Sequence, residues 1–192
     1  MRALVACEYS GRVRDALIAV GVDAVSCDLL PTETPGPHIQ GDVLALLREP
    51  WDLVIAHPPC TYLCNSGVRW LHERPGRWEK MREGAEFFLA CLDANAPRVA
   101  VENPVMHRYA REIVGRRQDF SVQPWQFGDA AKKRTCFWTR GLPPLVPTST
   151  MRAEDAKADC HLAPPGPNRW KERSRTYEGI ARAIAQQWGR PC

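Results

Sequence analysis

The feature that most constrains this chain is the alternation of short apolar runs with amphipathic stretches over its first 120 or so residues. RALVACE, VDAVSCD, DLVIA and RVAVEN are each too short and too continuously apolar for surface strands, and read as parallel strands buried on both faces. Between them, Val13, Ala16, Leu17 and Val20 recur at helical spacing, and Gly21 closes that helix. Trp78, Met81, Ala85, Phe88, Leu89 and Leu92 mark a second, longer amphipathic helix. Pro31, Pro35, Gly36 and Pro37 make residues 31–38 a loop, and GDVLALL from Gly41 is expected to start a short helix. Further on, SVQPWQF and RTCFWT are expected to pair as a hairpin. Residues 141–170, with six prolines, offer no obvious regular element, and TYEGIARAIAQQW forms a closing helix. Such alternation predicts an α/β fold, a mostly parallel sheet with helices on both faces and a C-terminal antiparallel hairpin.

The 192 residues suit a single domain, and 44% hydrophobic with 25% charged residues excludes disordered and fibrous classes. No run of about 18 apolar residues is present, so no membrane span is expected. MRALVACEYSG has too short an apolar run for a secretory signal, and a cytoplasmic protein is expected. In that setting the eight cysteines read as thiols rather than a disulfide framework. A net charge of +4 permits a phosphate-bearing partner without demanding one.

Ligands of parallel sheets sit at the carboxyl ends of the strands, where this sequence puts Glu8, Asp28, Asp42, Cys60 and Glu102. Cys60 follows a double proline just past a strand end. A nucleophilic thiol needs such a fixed position, together with a lowered pKa. A buried structural cysteine is the competing reading. Glu102 ends an otherwise apolar strand, where desolvation is expected to raise its pKa. Of the basic cluster Lys132, Lys133 and Arg134, Arg134 opens an apolar strand and could turn its fork inward. A solvated turn is the plainer reading for one or two of the three. Asp28 is placed to meet ribose hydroxyls, although CEYSG, with only Gly11, carries no dinucleotide glycine fingerprint. His57, Cys60, Cys64, Cys160 and His161 lack the paired spacing of structural zinc ligands, so no metal is expected. Trp70, Trp78 and Trp170 lie among arginines, and the basic segment 69–82 reads as a mobile flap facing the substrate. For Trp78 a place in the core is preferred.

The order of these motifs resembles the DNA cytosine-5 methyltransferase family, especially its small phage-type members. ACEYSG is similar to the first cofactor loop, Asp28 to the ribose-binding acid and GDV to the adenine-side motif. DLVIAHPPCTYLCNSG resembles the proline-cysteine nucleophile loop, and EFFLACLDANAPRVAVENP the long helix and glutamate-asparagine motif. FGDAAKKRTCFW is similar to the arginine motif and RSRTYEGIARAIA to the last motif. The resemblance implies a Rossmann-like class I methyltransferase fold with S-adenosylmethionine as cofactor. By it, Cys7, Glu8, Tyr9, Ser10, Gly11, Asp28, Leu29, Asp42, Val43 and Pro58 hold the cofactor. Cys60, Glu102 and Arg134 are catalytic, and Pro59, Asn103 and Lys132 contact the substrate, a cytosine-containing nucleic acid or nucleotide.

The resemblance also implies the chemistry. Cys60 adds to carbon 6 of the base, Glu102 bonds nitrogen 3, Arg134 holds the base oxygen, and carbon 5 takes the methyl group. The sequence departs from the family in its reduced first loop and in lacking a glutamine in the arginine motif. Residues 141–172 stand as a short Pro-rich segment where a large target-recognition region is usual, so residues 1–192 are expected to form one catalytic domain. Two alternatives remain: the same chemistry on a free nucleotide or single strand, and a catalytically silent nucleic-acid-binding protein. A protein partner for target recognition is a further possibility.

Overall fold

The computed structural model describes residues 1–157, 166 and 169–190. Four apolar runs form the strands β1 (Arg2–Ala6), β2 (Asp23–Asp28), β4 (Leu53–Ala56) and β5 (Arg98–Asn103), with β3 (His38–Gln40) outside β2. The hairpin expected near the end is β6 (Phe120–Val122) and β7 (Thr135–Arg140). The sheet order is β3-β2-β1-β4-β5-β7-β6. The first five strands run parallel, while β7 is antiparallel to both β5 and β6. This is an α/β arrangement, a mostly parallel sheet with helices on both faces and an antiparallel hairpin, as the alternation predicted.

Alternate residues of each strand feed two cores, which is why the runs are apolar throughout. On one face Leu4, Val54, Val99 and Trp138 pack on Met81, Ala85 and Phe88 of α3 (Arg77–Leu92) and on α4 (Arg108–Val114). There the rings of Phe88 and Trp138 meet edge to face at 5.0 Å. On the other face Val5, Ile55, Ala100 and Phe137 pack on α1 (Arg12–Ala19) and on the closing helix, Glu178–Trp188, which presents Ile180, Ile184 and Trp188 as its spacing predicted. Two short helices, α2 (Trp70–Glu73) and α5 (Arg169–Ser174), precede α3 and the closing helix, α6.

Several local expectations are corrected. GDVLALL forms only turns, ending in a 3₁₀ turn at Leu46–Arg48, because Pro50 follows too closely for a helix to propagate. His38, placed in the loop, begins the edge strand β3. In SVQPWQF only Ser121 and Val122 are strand, since Pro124 starts a 3₁₀ turn over Pro124–Phe127. Helix α5 begins inside the stretch read as irregular. Cys160 and His161 of the zinc test lie outside the described residues, as does part of the Pro-rich segment. Among the described residues no group could hold a metal ion, and no helix is long and apolar enough to cross a membrane.

Candidate active site

From β1 the chain moves outward to β2 and β3, then returns to β4 on the other side of β1. The strand ends around that reversal form the rim where ligands of such sheets bind. The first loop, Cys7–Gly11, is held from within. Glu8 is buried, and its carboxylate accepts Val13 N at 2.7 Å and Arg14 N at 3.2 Å, capping α1. Burial raises its pKa, against His57 and these bonds. Ser10 Oγ sits 3.4 Å from Glu8 Oε1, and Tyr9 Oη donates to the Lys171 carbonyl of α5 at 2.7 Å. The Cys7 thiol is pushed up by its hydrogen bond with Cys91 and by burial. The side chains of Glu8, Tyr9 and Ser10 are thus all engaged within the protein. What this loop can offer a ligand is backbone. Cys7 has φ 57°, and Gly11 has φ 75° with no room for a Cβ, which would come within 2.2 Å of Thr34 Oγ1.

Asp28 ends β2 half-buried and accepts Leu30 N at 2.9 Å; burial raises its pKa, outweighing the Leu30 and Leu29 N–H groups and His38. Leu29 beside it is 73% exposed. Asp42 is exposed and accepts Leu44 N at 3.0 Å, whereas Val43 belongs to the core and not to the rim. Sequence reasoning missed Arg14. It is fully buried, and its guanidinium donates to Ser26 Oγ (3.2 Å), Thr32 Oγ1 (3.1 Å) and Thr34 Oγ1 (2.7 Å), shaping loop 31–37. Its only trace in the sequence is a charge beside the apolar stripe of α1.

The nucleophile loop is tied down from both sides. Asn103, fully buried, donates from Nδ2 to the Pro58 carbonyl at 3.0 Å. It thereby positions the loop that carries Cys60. His107 Nε2 donates to the Tyr62 carbonyl at 2.9 Å while Nδ1 accepts Ala110 N at 3.1 Å. Asn65 N donates to Val105 O at 3.1 Å, and Arg77 Nη2 donates to Thr61 O at 3.1 Å with its guanidinium 4.2 Å over the Tyr62 ring. Segment 69–82 forms α2 and the first turn of α3, anchored by Arg77. Trp70 lies between the guanidiniums of Arg69 (4.1 Å) and Arg74 (3.9 Å), while Trp78 packs half-buried on Tyr109 at 4.9 Å. Pro58 is buried, Pro59 exposed and Cys60 half-buried.

Glu102 faces this loop from the end of β5, opposite Phe137 of β7. Burial raises its pKa, but the hydrogen bond from His57 Nδ1 (3.2 Å) and the charges of Lys133 and His57 prevail, and the net shift is downward. The expectation of a raised value fails because the sequence did not show these two partners. Cys60 departs in the other direction. Its thiol is pushed well up by its hydrogen bond to Cys64, by burial and by the charges of Cys64 and Glu102, with Lys133 opposing. Cys64 is brought down to about 5, first by the hydrogen bond with Cys60, against burial, and then by Ser66 and Gly67.

The basic cluster is corrected as well. Arg134 points outward and donates from Nε to Ser121 Oγ at 3.3 Å; Lys132 is exposed. Lys133 is the one that reaches the site. It lines a cavity of only about 10 Å³ with His57, Glu102, Thr135, Phe137, Thr176, Tyr177 and Ile180. Its Nζ donates to the Arg173 carbonyl at 2.7 Å. With Nδ1–H given to Glu102, His57 Nε2 is buried and has no partner among the described residues.

No protein-family model and no curated protein matches this sequence. Solved structures with a similar chain path include an E. coli prophage-encoded protein described as a DNA modification methyltransferase (14% identity, TM-score 0.47, 72% of this chain and 46% of that one). Others are the Entamoeba histolytica methyltransferase EhMeth (12%, 0.45, 88% and 61%) and a Spodoptera frugiperda DNMT2 mutant (13%, 0.40, 77% and 53%). The chain spans about half the length of these proteins.

Proposed function

We propose that this protein transfers a methyl group from S-adenosylmethionine to carbon 5 of cytosine in nucleic acid, through a covalent adduct on Cys60. The observation that carries the reading is the convergence of three groups from distant segments on one rim. The half-buried Cys60 thiol feels the charges of both Glu102 and Lys133, and Asn103, the neighbour of Glu102, bonds the loop that carries Cys60.

The rim over β1 and β2 fits the cofactor. A half-buried acid, Asp28, stands next to a largely exposed apolar side chain, Leu29, which suits ribose hydroxyls beside an adenine face. The backbone of residues 7–11 and Pro58 would flank the remainder, with Asp42 at the adenine side. Bound there, the cofactor supplies a methyl group made electrophilic by its sulfonium.

Cytosine carbon 5 is a poor nucleophile. Addition of the Cys60 sulfur to carbon 6 breaks the 5,6 double bond and moves its electron pair toward carbon 5 and the ring. Ionised Glu102 accepts the exocyclic amino N–H. As the adduct makes nitrogen 3 more basic, a proton taken up from solvent is shared between that nitrogen and the carboxylate; once carbon 5 carries the methyl group, loss of its proton to solvent restores the double bond and expels Cys60. Lys133, not Arg134, donates to the base oxygen. The unpartnered Nε2 of His57 adds a polar group to the same pocket. A base cannot be reached inside a duplex, so it must be flipped out or single-stranded. The cavity is small, and Lys133 on its wall is held by the Arg173 carbonyl at 2.7 Å.

The test is mass spectrometry of nucleosides from DNA, RNA and nucleotide pools incubated with isotope-labelled cofactor. Label in 5-methylcytosine, lost in Cys60→Ala while calorimetry still detects cofactor binding, is the expected outcome. Label retained by that variant refutes the assignment. Falling yield with rising salt would identify a polyanionic substrate rather than a mononucleotide.

A further inference from the structure

His57 stands where the ladder of β4 ends and the double proline begins. Its N–H donates to the Ala6 carbonyl at 2.9 Å, so its backbone still belongs to the sheet, while Pro58 and Pro59 fix the chain beyond it. The parallel register pairs Ala56 with Val101; continued by one residue, it sets His57 beside Glu102 on the same side of the sheet. The ring is buried, with 8% of its side chain exposed, and Nδ1 lies 3.2 Å from Glu102 Oε2. A carboxylate only accepts, so Nδ1 is the donor. Of the two carboxylate oxygens only Oε2 is engaged among the described residues, and His57 and Glu102 line one cavity with Lys133 and Thr135. His57 Nε2 is buried without a partner among the described residues, a state that a side chain serving only to fill the core would avoid.

We propose that His57 is the positioning residue of this pocket: it pins Oε2 of Glu102 so that Oε1 is presented to the ligand, and it keeps Nε2 for a polar group of that ligand. Cytosine as the ligand rests on the methyltransferase reading; the pinning of Glu102 does not. A glutamate has three side-chain torsions, and fixing one oxygen removes that freedom before the base arrives. In the proposed reaction Glu102 accepts the amino N–H and then shares a proton with nitrogen 3, so its direction decides how well the charge developing on the ring is met. The tie is also reciprocal. Asn103, next to Glu102, holds the Pro58 carbonyl, and His57, next to Pro58, holds Glu102, so the strand of the acid and the loop of the nucleophile are cross-linked at neighbouring positions. Burial pushes the Glu102 carboxyl up, whereas the hydrogen bond from His57 and the charges of Lys133 and His57 bring it below its ordinary value. Around the pair, Glu8 of the first loop feels the charge of His57, Cys60 and Cys136 feel that of Glu102, and Tyr177 ahead of α6 lines the cavity. Without His57, only Lys133 is left to oppose burial at Glu102.

Two amide variants separate the ring nitrogens, since the amide nitrogen of Asn falls near the place of Nδ1 and that of Gln near the place of Nε2. The first measurement is carboxyl 13C NMR of glutamate-labelled protein, titrated from about pH 3 to about pH 8 with neither substrate nor cofactor. The Glu102 signal is the one missing from Glu102→Gln. Its midpoint should move to higher pH in His57→Leu and His57→Gln and stay closer to wild type in His57→Asn. The amide spectrum of each sample shows whether it is folded, and the Asn–Gln pair decides the matter should the Leu variant not fold. The second measurement is methyl transfer. In His57→Leu, kcat should fall about 10²-fold with KM for nucleic acid within about threefold; His57→Asn should recover about tenfold of that loss and His57→Gln none. The acid limb of the kcat profile should move to higher pH together with the NMR midpoint. An unmoved Glu102 midpoint in His57→Leu and His57→Gln, or rescue of transfer by Gln as good as by Asn, would overturn the proposal. The expected NMR shifts in a protein that methylates nothing would leave His57 as the holder of Glu102 and remove the methyltransferase reading.

Discussion

Asn103 allows stability and catalysis to be separated in one substitution. Its side chain is fully buried, makes one hydrogen bond at 3.0 Å to the Pro58 carbonyl, and leaves Oδ1 without a partner among the described residues. Asn103→Leu keeps the volume close to that of the original. It loses one neutral hydrogen bond, worth about 0.5–1.5 kcal/mol, and leaves the Pro58 carbonyl unpaired. It also removes a buried unpaired oxygen, whose desolvation costs about 1–3 kcal/mol. These terms nearly cancel, so the net change in stability should stay within about 1.5 kcal/mol. For a chain of this length that is a shift in Tm of no more than about 3–6 °C. Catalysis should not be spared. The Pro58 carbonyl is two residues from the Cys60 sulfur, and Asn103 ties it to the strand carrying Glu102. A misplacement of about 1 Å at a reacting group costs about 10²-fold. Differential scanning calorimetry and single-turnover methyl transfer on the same sample are the assays. A large fall in Tm with an unchanged rate, or no effect on either, would refute the view that this bond sets the distance between the nucleophile and the acid.

The remaining predictions concern the basic cluster and the cofactor rim. Lys133→Met should reduce single-turnover transfer by about 10²-fold, as removal of a donor from a developing charge does, while Arg134→Met should leave it within about twofold; the reverse order would restore the sequence assignment. Asp28→Asn should weaken cofactor binding measured by calorimetry and yet stabilise the free protein at pH 7. The sign follows from the raised pKa: proton uptake by Asp28 favours the folded state, a contribution present at low pH and lost as pH rises through the folded-state value. Wild type should therefore gain Tm relative to Asp28→Asn as pH falls from 7 toward 4, and parallel pH curves for the two proteins would contradict this.

The fold was legible because parallel strands buried on both faces have no freedom of pattern. RALVACE, DLVIA and RVAVEN must be continuously apolar, and the helices between them must show one stripe. Strand polarity alone placed Asp28, Cys60 and Glu102 at or just past strand ends, and the structure has them there. What escaped was every effect that needs a partner from a distant segment. The shift of Glu102 depends on His57, 45 positions away, and on Lys133. The inward turn of Glu8 depends on which backbone N–H groups of α1 are left unpaired at its start, and a carboxylate there caps the helix as readily as it meets a ligand. Buried Arg14 was hidden because composition gives no warning that a loop with many carbonyl and hydroxyl oxygens will fold around one guanidinium.

Which of Lys133 and Arg134 faces the pocket turns on the register of the hairpin. Side chains alternate along a strand, so among Lys132, Lys133 and Arg134 only those of one parity can share a face with Thr135 and Phe137. Pairing sets that parity. Phe137 lies opposite Glu102, directly opposed residues of an antiparallel pair project to the same side, Thr135 follows at an interval of two, and Lys133, two residues ahead of β7, lines the same cavity. A hairpin register fixing Phe137 against Glu102 therefore selects Lys133 and turns Arg134 toward the other side, where it meets Ser121. A slip of one residue between β5 and β7 would exchange the two cations, but it would also move Phe137 out of the core it shares with Trp188 and bring Trp138 in from the opposite face. The aromatic packing of both cores thus decides which positive charge faces the pocket.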